Sequence, residues 1–67
     1  MKNNILQLRK ELEVTLKQLS QITNISYEDL KSVENDELEP TLIDAHKITK
    51  ALGKEFIAEV FLLNELD

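Results

Sequence analysis

A chain of 67 residues with one glycine, one proline and no cysteine holds at most one small domain. It excludes a disulfide framework, a thiolate metal site and any low-complexity linker. Apolar residues at 42% and charged residues at 31% suit a globular protein, and no run approaches the roughly 18 apolar residues that span a bilayer. The net charge is −5, and all of it lies in one place: residues 26–40 carry six acids and one base, and the remainder carries seven of each.

In chain order, residues 1–9 lack the apolar stretch of a signal peptide, so the expected location is cytoplasmic. Ile5, Leu8 and Leu12 recur at helical spacing and predict an amphipathic helix from about residue 4 to 12. Thr15, with Gln18 three residues on, reads as the cap of a second helix whose buried side is Leu19 and Ile22. Asn24 suits the left-handed conformation at a helix end. Ser26 and Asp29 repeat the cap pattern for a third helix, and Ile25 with Leu30 has the spacing of a hydrophobic staple. Residues 35–40 are polar and acidic and read as a loop. Thr41 and Asp44 open a fourth helix with the stripe Leu42, Ala45, Ile48 and Leu52, and Gly53 stands where a terminating glycine belongs. A short fifth helix is expected from Lys54 to about Phe61; the alternative is an extended tail at Phe61, Leu62 and Leu63 pairing with residues before Asn4.

The reading is a single all-α, five-helix domain. Two short helices joined by a turn of about three residues over residues 15–34 make a helix-turn-helix, which often presents its second helix to DNA. A core this small supplies only a few kcal/mol. Pairing of two copies is therefore expected, with Phe56, Val60, Phe61 and Leu63 as the interface, because the last dozen residues hold more apolar side chains than one core uses.

The chain resembles the Cro and phage-repressor helix-turn-helix family, also called Xre-type. The resemblance rests on Leu8-Arg9, on the run from Gln18 to Ser26, on Leu30 and Val33-Glu34-Asn35, on Pro40-Thr41-Leu42, and on the run from Lys47 to Gly53. It implies a homodimeric transcriptional regulator, most simply a repressor, that binds double-stranded DNA with its third helix. Carried over by position, it implies base contacts from Tyr27, Glu28 and Ser32 and backbone contacts around Leu16, Lys17, Asn35 and Thr41. It also implies a structural ion pair between Arg9 and Glu34. The family often has glycine where this chain has Glu13, Asn24 and Asp36, and glutamine where it has Leu16.

Lys17 and Lys31 are the phosphate candidates by position, each equally readable as a solvated charge. Glu28 can accept from cytosine N4, whereas Asp36, Glu37 and Glu39 either face phosphates and repel them or point into solvent. Lys47, Lys50 and Lys54 form a basic stripe read as a solvated face. The lone histidine, His46, has no second metal ligand, no glycine-rich loop exists to cradle a phosphate, and no hydroxyl has a base placed to activate it. No cofactor and no enzymatic activity are expected. Two functions follow: a DNA-binding regulator, or a protein-interaction module whose acidic face takes a basic protein partner.

Overall fold

The computed structural model describes residues 2–61. Four α-helices follow one another: α1 (Ile5–Leu12), α2 (Leu16–Thr23), α3 (Tyr27–Glu34) and α4 (Leu42–Ala51), then one 3-10 turn, Ile57–Glu59. Three helices begin as their hydroxyl residues dictate. Thr15 Oγ1 accepts from the Gln18 amide (3.0 Å) while Gln18 Oε1 accepts from the Thr15 amide (2.9 Å), a reciprocal capping box. Ser26 and Thr41 each accept from the amide three residues on, at 3.1 Å. Glu13 and Asn24 close α1 and α2 in the left-handed region, with φ of 58° and 62°. Asp36 and Gly53 take the same conformation just beyond α3 and α4, with φ of 66° and 78°. The three non-glycine positions are those where the resembling family often places glycine.

The core is one cluster. Leu8 and the fully buried Ile5 come from α1, Leu16 and Leu19 from α2, Leu30 and Val33 from α3, and Ala45, Ile48 and Leu52 from α4 and its cap. Ile25 in the turn and Val60 and Phe61 complete it. Two threonines are buried with them. Thr23 and Thr49 donate to the Leu19 and Ala45 carbonyls (2.8 and 2.7 Å), which satisfies each hydroxyl inside its own helix.

Several expectations need correction. Among the described residues there is no fifth α-helix. Phe56 is extended (φ −117°, ψ 138°), and only the single turn Ile57–Glu59 follows. The reason lies in where the backbone groups go. The Val60 carbonyl accepts from the Asn4 amide (2.8 Å), and Phe61 pairs with Asn3 in an antiparallel bridge. The extended alternative at Phe61 is thus the one observed, while Leu62 and Leu63 lie outside the described residues.

Val60 and Phe61 are fully buried, so neither offers its side chain to a second copy; each contributes about 1.5–3 kcal/mol to this chain's own core. Phe56 is exposed, and the fourth expected interface residue, Leu63, lies outside the described residues. Leu12, Ile22 and Leu42 are also exposed, against expectation. In an eight-residue helix two apolar edges compete, and in α2 the one with Leu16, Leu19 and Thr23 faces the core.

Candidate nucleic-acid interface

The turn between α2 and α3 is fixed by hydrogen bonds on both sides of Asn24. Asn24 reverses the chain in the left-handed conformation. The Ser20 hydroxyl donates to the Ile25 carbonyl, and the Ile25 amide donates to Thr23 Oγ1 at 3.3 Å. Ile25 and Leu30 are both buried, as the staple spacing requires. α2 packs against both α3 and α4, so α3 is seated on a helix that is itself tied to the rest of the fold.

Two further ties anchor the far end of α3. Arg9 Nε and Nη2 both donate to Glu34 Oε2, at 2.9 and 2.7 Å, and Arg9 Nη1 donates to the Val14 carbonyl at 3.1 Å. The two side chains of this ion pair are only 13% and 12% exposed, so solvent screens the pair little. Asn3 Nδ2 donates to the Val33 carbonyl at 2.9 Å, which joins the N-terminal segment to the last turn of α3. Sequence reasoning assigned no such role to Ser20, Thr23 or Asn3. A hydroxyl in the last turn before a left-handed residue is a weak signal for Ser20 and Thr23; for Asn3 the sequence carries none.

With Leu30 and Val33 turned inward, helical geometry puts Tyr27, Glu28, Lys31, Ser32 and Asn35 on the outward side of α3. Tyr27, Glu28, Lys31 and Asn35 are exposed, and Ser32 is half-buried. The Ser32 carbonyl accepts from the Glu37 and Leu38 amides (2.8 and 3.2 Å), folding the acidic loop back onto the end of the helix. Tyr27 leans toward the start of α2, where it lines a hollow with Thr15, Leu16 and Lys17. Lys17 is exposed at that edge; the Leu16 side chain is buried, which leaves only its backbone amide to face a phosphate. Thr41 is exposed at the first end of α4.

The acids divide into three groups. Glu34 is held by Arg9. Asp29 and Glu39 line a cleft of about 190 Å³ between α3 and α4, together with Asp44 and the apolar Val33 and Ile48, off the outward stripe. Glu28, Asp36 and Glu37 lie on or near the stripe and, like Asp29 and Glu39, are exposed. Among the described residues no group of three histidine, cysteine or acidic side chains could hold a metal ion, and His46 is exposed on α4.

A helix-turn-helix family model matches residues 5–57. A protein of Methanothermobacter thermautotrophicus, described as an uncharacterized HTH-type transcriptional regulator, is 35% identical over 65 residues, which cover 97% of this chain and 94% of that relative. No described helix is long and apolar enough to cross a membrane. The capped α2–turn–α3 elbow, the extent of the match and the relative together establish that this chain belongs to the Xre/Cro-type helix-turn-helix family.

Proposed function

We propose that this protein is a sequence-specific DNA-binding transcriptional regulator, most simply a dimeric repressor, and a binding protein rather than an enzyme. The observation that carries the reading is the outward stripe of α3 on a helix anchored by the Ser20, Arg9 and Asn3 contacts. Its membership of the family, and the regulator named among its relatives, support it. Tyr27, Glu28 and Ser32 contact base edges in the major groove, with Glu28 accepting from cytosine N4. Lys17, Lys31, Asn35, Thr41 and the Leu16 amide contact phosphates, the last from a helix N-terminus. A dimer sets two such helices in successive major grooves about 34 Å apart. Of the expected pairing residues Phe56 keeps an exposed ring.

A second reading is favoured by the exposed acids. Glu28, Asp29, Asp36, Glu37 and Glu39 are exposed against one exposed base, Lys31, over residues 26–40, which suits a basic protein partner better than a phosphate backbone. One titration separates the two. Fluorescence anisotropy on duplexes from the protein's own locus is expected to give binding that weakens by about 0.9 log units per log unit of salt for each phosphate contacted. Absence of binding to every such duplex at low salt removes the regulator reading and leaves the acidic-face module.

A further inference from the structure

A trough runs between the end of α2 and the outer face of α4, on surface that the DNA reading does not use. It holds about 580 Å³ and is lined by Ile22, His46, Lys47, Lys50 and Ala51, with the turn residues Thr23 and Asn24 at its end. No carboxylate lines it. Ile43, His46, Lys47 and Lys50 stand at positions i, i+3, i+4 and i+7, which sets all four on one face of α4. Ile22 and Ile43 are 62% and 70% exposed, so the fold leaves two branched apolar side chains beside the cations. A single exposed isoleucine is ordinary; two of them flanking two lysines and a histidine, in a protein of net charge −5, are a combination that core packing does not explain.

We infer that this trough docks an acidic peptide segment of a partner protein, one that alternates carboxylates with apolar side chains. Lys47 and Lys50 pair with the carboxylates, and Ile22 and Ile43 bury the apolar side chains. Charge complementarity selects the occupant. A phosphodiester backbone also meets the lysines, yet it gives the isoleucines nothing to bury. Asp44, the one acid in the body of α4, lines the cleft toward α3 and so does not oppose the partner. The inference stands apart from the proposed reading of DNA.

The test is to pan the full chain against short random peptides displayed on phage, then titrate a selected peptide by anisotropy and map it by amide chemical shifts. The expected peptides are rich in Asp and Glu interspersed with Leu, Ile or Phe. Their shifts concentrate at Ile22, His46, Lys47 and Lys50. Lys47→Glu and Lys50→Glu each weaken binding about tenfold, as does Ile22→Ser, with unchanged melting curves; all three positions are exposed, and a variant that melts early is replaced by Lys50→Gln. Selected peptides without acidic enrichment, no selected peptide at all, or a footprint on α3 would overturn the inference. So would shifts that appear at the trough merely on concentrating the protein, which marks a second copy as the occupant, or displacement of the peptide by a random-sequence duplex.

Discussion

Glu13 and Asn24 close their helices in nearly the same conformation, with φ of 58° and 62°, yet they are chemically unequal there. Asparagine visits the left-handed region at small cost, whereas glutamate crowds its Cβ against the backbone for about 1–2 kcal/mol. Glycine removes that strain and gives back part of the gain through a freer unfolded chain. Glu13→Gly is therefore expected to stabilise the protein by about 0.5–1 kcal/mol, and Asn24→Gly by less than half as much, in urea melts of the two variants. The Arg9–Glu34 pair works the other way. Glu34 is 12% exposed and accepts two guanidinium bonds, so Glu34→Ala strands a cation in a partly dry site. The expected loss is about 2–3 kcal/mol, a drop in melting temperature of about 10–20 °C for a domain of this size. A change within about 0.5 kcal/mol would show the pair to be an ordinary surface contact.

At the scale of elements, the α2–α3 elbow depends on Ser20, whose hydroxyl bridges from the last turn of α2 to the Ile25 carbonyl. Ser20→Ala is expected to cost about 1 kcal/mol of stability and also to weaken specific DNA binding, because α3 then loses one of its restraints. Melting and anisotropy on one protein sample separate these two effects. The starts of α2, α3 and α4 were legible because each is set by a local hydrogen bond between a hydroxyl and an amide three residues away, and Thr15, Ser26 and Thr41 announce it in the sequence. The family and the Arg9–Glu34 pair were legible through the resemblance. Facing was less so: in the two turns of α2, Leu16 competes with Ile22, and in α4 Leu42 shares the stripe of Ala45 yet stays exposed in the first turn, so only the neighbouring elements decide which side chains are covered. The segment after Gly53 misled for a non-local reason. Its apolar run fits a helix, but the Val60 carbonyl and the Phe61 backbone are engaged by Asn4 and Asn3, more than fifty residues earlier in the chain.

For the whole molecule the question is how a protein of net charge −5 approaches a polyanion. The distribution of the acids answers part of it. Of the six between residues 26 and 40, Glu34 is neutralised by Arg9, and Asp29 and Glu39 line the cleft between α3 and α4. The stripe itself presents Glu28 beside Lys31, Tyr27, Ser32 and Asn35, with Asp36 and Glu37 exposed just past its end and Lys17 at the neighbouring helix start. On the proposed reading such a surface gains little from general attraction to phosphates and relies on base contacts, so its specific and non-specific affinities are expected to respond differently to change. The ratio of affinities for a selected operator duplex and an unrelated duplex, compared between the native protein and Tyr27→Ala, tests this most directly. The ratio is expected to fall by about tenfold or more with affinity for the unrelated duplex unchanged. If both affinities fall together, or if neither moves, the outward stripe of α3 does not read sequence.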